Sequence, residues 1–262
     1  MNILVKIIAD KFKEVELKKT LIPVSQLKSS VLFDRKCISL AENLKTGSGI
    51  IAEHKRRSPS KSVINQSLNV QDVAKGYEDA DVSGISVLTD GKYFGGSLDD
   101  LLYARASVDL PILRKDFMID EYQILEAKAY GADVILLIAA VLTEEQLIHL
   151  ANSAKSIGMD VLLEVHNEEE LKKSLNVNAD MIGVNNRNLK TFEVSIDNSK
   201  KLAKLIPDAF VKVSESGISN TEAIADLKNY GYEGFLIGEN FMKTDDPGAS
   251  AKEFIRTLKS IV

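Results

Sequence analysis

The sequence predicts an α/β fold, a (β/α)8 TIM barrel with an N-terminal helical extension, and three observations carry that prediction. From residue 50 onward one unit recurs: a short apolar run, a polar or glycine-containing turn, then a helical stretch. The runs are apolar on both alternating faces, as parallel strands covered on both sides require. Eight such units in a chain of 262 residues match the usual size of a closed barrel of this kind.

The strands read as Ile50 to Ala52, Gly84 to Leu88, Pro111 to Leu113, Val134 to Ile138, Val161 to Leu163, Met181 to Val184, Phe210 to Val213 and Gly234 to Ile237. Their ends fall near positions 53, 88, 115, 138, 164, 185, 215 and 238, spacings that suit parallel strands joined by crossover helices. Among those helices, Asp120 to Tyr130 sets Tyr122, Leu125 and Ala129 on one face. Thr143 to Ile157 opens with the capping-box spacing Thr143 to Gln146. An open doubly wound sheet is the runner-up. It calls for a G-x-G-x-x-G turn after the first strand, whereas Gly47-Ser48-Gly49 precedes that strand. Residues 1–45 form the extension, with Leu4, Ile8, Phe12 and Val15 marking an amphipathic helix and a second helical segment starting at Ser25. No low-complexity linker separates it from the barrel of residues 46–262, so one domain with a packed extension is expected.

Composition narrows the function. The net charge of -5 argues against nucleic acid as a partner and makes any anion site a local gathering of Lys and Arg. One cysteine, Cys37, rules out a disulfide framework, and His54, His149 and His166 share no metal-ligand spacing. No long apolar run or export signal is present, so a reduced, cytoplasmic protein that does not engage membranes, a monomer, is expected.

Barrel active sites form at the C-terminal ends of the strands. Here those ends carry Glu53 and Lys55, Lys115, Glu164, Arg187, and Glu215. One charge at a strand end commonly does no more than meet water. Six from five strands, converging on one mouth, can shift one another's proton affinities toward acid and base work. His54 alternates away from Glu53 and Lys55 and reads as a polar, outward residue. Ser216-Gly217 and Gly238-Glu239 allow close backbone approach where such barrels commonly cradle a phosphate. Lys55 and Arg187 are the cations that would complete its neutralisation. Phe94 and Phe117 either line the pocket or pack as core.

Taken together, Ile51-Ala52-Glu53-His54-Lys55-Arg56-Arg57-Ser58-Pro59-Ser60, Leu110-Pro111-Ile112-Leu113-Arg114-Lys115-Asp116-Phe117, Leu163-Glu164-Val165-His166, Gly183-Val184-Asn185-Asn186-Arg187-Asn188-Leu189, Ser214-Glu215-Ser216-Gly217-Ile218 and Phe235-Leu236-Ile237-Gly238 resemble the indole-3-glycerol phosphate synthase family across almost the whole chain. The resemblance implies a phosphorylated small-molecule substrate, 1-(2-carboxyphenylamino)-1-deoxyribulose 5-phosphate. It is closed to indole-3-glycerol phosphate with loss of carbon dioxide and water, without cofactor or metal.

By that resemblance Lys115 is the general acid of ring closure, and Glu164 takes part in the proton traffic of dehydration, with Glu53 and Lys55 as the other candidate pair. The resemblance leaves open how the two steps divide among these four. Asn185 and Glu215 match residues that orient polar groups, and Ser58 and Arg187 match substrate-binding positions. Phe94 and Phe117 match walls of the anthranilate pocket. Lys55, Ser216, Gly217, Gly238 and Glu239 match the phosphate site, although a small hydroxyl residue is common where this chain has Glu239. Two other readings share the cradle: an isomerase of the same pathway, which would need a Cys and Asp pair at strand tips, and a barrel that only binds a phosphorylated ligand.

Overall fold

A computed structural model of the protein describes residues 3–188 and 191–261; Met1, Asn2, Leu189, Lys190 and Val262 lie outside the described residues. Eight parallel strands close into a barrel in chain order: β1 (Ile50–His54), β2 (Gly84–Leu88), β3 (Ile112–Lys115), β4 (Val134–Ile138), β5 (Asp160–Val165), β6 (Met181–Asn185), β7 (Val211–Glu215) and β8 (Tyr232–Ile237). β8 pairs with β1 to complete the ring. The extension holds α1 (Ile3–Leu21), α2 (Val24–Lys28) and α3 (Leu40–Thr46). Around the barrel run α4 (Val70–Glu78), α5 (Gly91–Phe94), α6 (Leu98–Ser107), α7 (Glu121–Ala129), α8 (Glu144–Ser156), α9 (Glu168–Ser174), α10 (Asp197–Ala203), α11 (Thr221–Lys228), α12 (Glu239–Met242) and α13 (Pro247–Leu258).

Strand alternation sorts the core into two clusters. Ile51, Leu113, Val134, Leu162, Met181 and Val213 fill the barrel interior, and Leu40 and Leu44 of α3 join them from below. α3 is held at that lower end by the Ser39 hydroxyl, which donates to Asp160 at the start of β5 over 2.8 Å. The outward residues, among them Ile50, Ile85, Ile135 and Leu163, pack under the helices. Helix starts are set by side-chain caps. Thr143 and Gln146 form the reciprocal capping box of α8, and Asp120 caps α7.

Two expectations about burial are corrected. The buried stripe of α1 is Ile7, Lys11 and Val15, while Phe12 is 51% exposed. The shift follows from Lys11, whose ammonium is buried because Asp90 and Asp116 of the barrel, both 3.0 Å away, receive it. His54 points away from the barrel interior yet is buried, because the outer face of a barrel strand lies under the helical layer and not in water. Burial and then the charge of Arg56 push its pKa down to about 4, so the ring is neutral.

Candidate active site

The inward positions of the strands are apolar for most of the barrel's height and change to charged or polar at the last inward residue. Following Ile51, Leu113, Leu162 and Val213 by two residues come Glu53, Lys115, Glu164 and Glu215. Asn185 ends β6 beside Glu215 in the register. Above this layer opens a cavity of about 480 Å³. All the residues predicted for the site line it: Glu53, Lys55 and Ser58 from β1 and its loop, Phe94, Lys115 and Phe117, Glu164, Asn185 and Arg187, and Glu215, Ser216, Gly217, Gly238 and Glu239.

Lys115 is the centre of the charged layer. Its Nζ lies 3.3 Å from Glu164 Oε2 and in direct contact with Glu215 Oε2. Burial works against the ammonium, but Glu215, Glu164 and Glu53 together hold it above the ordinary lysine range. The three carboxyl groups share that one cation unequally. The Glu215 carboxyl is pushed up to about 7 by burial and by the nearby charges of Glu164 and Glu53, against the pull of Lys115. Burial also raises Glu164, but Lys115, His166 and a hydrogen bond with Asn185 outweigh it and hold Glu164 below its usual range. Adjacent carboxyl groups thus have proton affinities pushed apart, a condition under which one site runs acid and base steps together.

At the mouth of β1, Lys55 donates to Glu53 Oε1 over 2.6 Å, and the other Glu53 oxygen accepts from Ser86 at 3.4 Å. Gly238 faces this carboxylate: a Cβ there would sit 2.5 Å from Glu53 Oε1. A side chain at 238 would force Glu53 to shift, a constraint the sequence did not reveal. The same holds for Gly183 and Glu215, where a Cβ would lie 2.3 Å from Oε1.

Ser216 and Gly217 are consecutive left-handed residues, with φ of 67° and 80°. The serine is held there by its hydroxyl donating to Asn185 Oδ1 over 2.9 Å and by Asn186 donating to its carbonyl over 3.1 Å. A non-glycine residue in this conformation carries strain of about 1–3 kcal/mol and clusters at ligand clamps. Arg187 donates its backbone N–H to Asn185 Oδ1 over 3.0 Å, and its guanidinium contacts the Phe192 carbonyl at 3.4 Å. Glu239 opens α12 directly after Gly238, and its carboxylate accepts from Lys61 over 2.7 Å. Phe94 and Phe117 form one aromatic wall, with ring centroids 6.0 Å apart.

The packed extension, expected from its amphipathic face, supplies part of the wall through Ile3, Leu4 and Ile7 of α1. Sequence reasoning missed two contributors. Val194 lines the cavity on a short segment that bridges back to Arg187. His166 stands behind Glu164, its Nε2 3.4 Å from Glu164 Oε1; the i+2 spacing from Glu164 was the available signal. Among the described residues no cluster of His, Cys, Asp and Glu is arranged to hold a metal, and no helix is long and apolar enough to cross a membrane.

Comparison with known proteins gives the same picture. A family model described as indole-3-glycerol phosphate synthase matches residues 4–254. The chain is 48% identical over 259 residues to an indole-3-glycerol phosphate synthase of Bacteroides thetaiotaomicron, covering 98% of this chain and 99% of that one. It is 44% identical over 257 residues to the one of Caldanaerobacter subterraneus, with 98% and 99% covered. Among solved structures, thiamine phosphate pyrophosphorylase from Pyrococcus furiosus matches 86% of this chain and 100% of its own with a TM-score of 0.61, a likeness of fold alone at 16% identity. A polarised lysine–carboxylate layer in a closed barrel, matched end to end by such relatives, means that the chain belongs to the indole-3-glycerol phosphate synthase family, carboxy-lyases of tryptophan biosynthesis acting on a phosphorylated small molecule.

Proposed function

We propose that the cavity holds 1-(2-carboxyphenylamino)-1-deoxyribulose 5-phosphate, with its phosphate at Ser216, Gly217, Gly238 and the backbone of Glu239, and with Lys55 supplying positive charge. The anthranilate ring lies against Phe94 and Phe117, and Ser58 and Arg187 bind the remaining polar and anionic groups. The observation that carries this reading is the position of Lys115, a buried ammonium bracketed by Glu164 and Glu215 at the floor of the cavity.

In the first step the ring carbon bearing the carboxylate attacks the ribulose carbonyl carbon, and Lys115 gives its proton to the carbonyl oxygen. The raised proton affinity of Lys115 keeps it charged until that oxygen becomes basic. Carbon dioxide leaves, and its bonding pair restores the aromatic ring. In the second step Glu164 takes the proton from the substrate carbon next to nitrogen, while Lys55, paired to Glu53, protonates the departing hydroxyl, which leaves as water. Glu164 Oε2, 3.3 Å from Lys115 Nζ, then returns its proton to the amine left by ring closure. Lys55, partly open to solvent, takes up the one proton that the overall reaction consumes. Asn185 and Glu215 orient Glu164 and Lys115.

The same reading takes the protein to act as a monomer in the cytoplasm. The single cysteine, Cys37, is a free thiol against Lys128, 2.9 Å away, as a reducing compartment allows. Incubation with the carboxyphenylamino ribulose phosphate, followed by indole absorbance and released carbon dioxide, tests the activity. Substrate bound but unchanged would leave a binding protein and overturn the reading.

A further inference from the structure

Behind Glu164 the barrel holds a second buried polar chain that the reaction as derived does not use. β5 ends at Val165, and His166, two residues past Glu164, turns back toward the same side of the sheet. Its side chain is 9% exposed. Glu170, in the first turn of α9, accepts from the His166 backbone N–H at 2.8 Å and faces the ring Nδ1 at 3.1 Å through the same oxygen. Its other oxygen accepts from Asn167 at 2.7 Å. This anchoring assigns Nδ1 as the protonated nitrogen and leaves Nε2 buried and without a hydrogen-bond partner, within ion-pair distance of Glu164 Oε1 at 3.4 Å. On the far side, Glu164 Oε2 faces Lys115.

We propose that His166, held by Glu170, is a positioning residue for the dehydration step: as an imidazolium it fixes Oε1 of Glu164, so that Oε2 stays ionised and turned toward Lys115 and the substrate. The inference rests on the role given to Glu164 above. The groups facing the ring are all acidic, Glu164 on β5, Glu170 on α9 and, farther off, Glu215 on β7; Lys115 lies beyond Glu164. Burial disfavours the imidazolium, but the Glu170 hydrogen bond and the charges of Glu164, Glu170 and Glu215 outweigh it and raise its pKa above the ordinary value. The ring therefore keeps its charge to a higher pH than an ordinary histidine does. As pH rises through that raised value the ring loses the Nε2 proton and presents a lone pair to Oε1. The carboxylate must then turn away or take up a proton, and either removes the base.

The test joins a measurement without substrate to one with it. In the unliganded protein, nitrogen-detected NMR is expected to show His166 titrating above an ordinary histidine, and Glu164→Gln is expected to lower that titration. In turnover, His166→Asn is expected to lower kcat about ten- to a hundredfold, the usual cost of a slightly misplaced catalytic group, with KM within about threefold. Its cyclised, undehydrated intermediate is expected to accumulate in single turnovers, and the basic limb of kcat that His166 sets is expected to vanish. Glu170→Gln is expected to keep the limb and move it to lower pH, a direction that a purely structural role for His166 does not produce. A His166 titration identical in wild type and Glu164→Gln overturns the proposal whatever the activity. So does an His166→Asn enzyme with wild-type kcat and pH profile. A wild-type protein that leaves the substrate unchanged while the NMR contact is present counts instead against the functional reading.

Discussion

Lys11 Nζ lies 3.0 Å from Oδ1 of Asp116, the residue that follows Lys115 in the chain. The extension is thus tied by a buried charge to the strand end that carries the proposed acid. Asp116 is further bound by Thr89 at 2.6 Å and Arg114 at 3.2 Å, and Asp90 shares the same ammonium. Replacing Lys11 by Met would leave two carboxylates buried with one cation fewer, and removing one partner of such a network costs about 3–5 kcal/mol. Lys11→Met is expected to lose stability on that order in denaturant unfolding. Its KM is expected to rise as well, because Ile3, Leu4 and Ile7 of the same helix wall the cavity. Unfolding at wild-type denaturant concentration would show that the contact is not formed.

Lys115→Met is expected to lower kcat by about two to four orders of magnitude with a much smaller change in KM, since general acid catalysis of this kind acts in the transition state. The variant also leaves Glu164 and Glu215 without their shared cation, so at least one of them is expected to hold a proton at neutral pH. Steady-state kinetics decide it: near-normal kcat in the Met variant would remove Lys115 from the role of acid.

Glu215 gives a stability prediction with a definite sign. Its folded pKa is pushed up to about 7, above the ordinary carboxylate value, so between those two values the folded protein keeps a proton that the unfolded chain has lost. Stability contributed by this group therefore falls as pH rises through that window and stays lost above it, on the order of 3 kcal/mol for a shift of this size. Glu215→Gln is expected to melt several degrees higher than wild type at pH 8, with the difference shrinking toward pH 5, while its kcat falls. Thermal unfolding at the two pH values measures this, and equal slopes with pH in the two proteins would contradict the assignment.

How much of this was legible in the sequence depended on whether the deciding contact was local. The strands were readable because their apolar runs are continuous, and the start of α8 because Thr143 and Gln146 are three residues apart. The inward charged layer followed from alternation alone. Alternation gives a direction and not an environment, so His54 was aimed correctly and its burial missed. The face of α1 was misread at Phe12 because periodicity counts Lys11 as polar, and the aspartates that bury it lie about 80 and 105 residues away. Gly238 was singled out for close backbone approach but not for Glu53, whose carboxylate lies 2.5 Å from where a Cβ would sit and comes from far away in the chain.

Glu239 is the remaining departure, a carboxylate at the position where the resemblance implies a small hydroxyl beside the phosphate. Two unit charges about 4 Å apart repel by about 4 kcal/mol at an effective dielectric of 20, so a side chain aimed at the phosphate would weaken binding substantially. In the structure its carboxylate instead meets Lys61 of the loop after β1 at 2.7 Å, and that pair is half exposed. The hydrogen bond to Lys61, with further help from the charges of Lys55 and Arg187, holds the carboxyl below its usual range, so it is ionised at neutral pH with its charge largely matched. Exposed pairs of this sort contribute about 0–1 kcal/mol. Glu239→Ser is therefore expected to change kcat/KM by less than about tenfold, the equivalent of about 1.4 kcal/mol, and to leave its salt dependence nearly unaltered. The released Lys61 ammonium is expected to add at most a small gain in phosphate affinity at low salt. Titration of inorganic phosphate against both proteins separates the alternatives: binding about a hundredfold tighter in the serine variant would mean that the Glu239 side chain faces the anion and that the phosphate site is assigned wrongly.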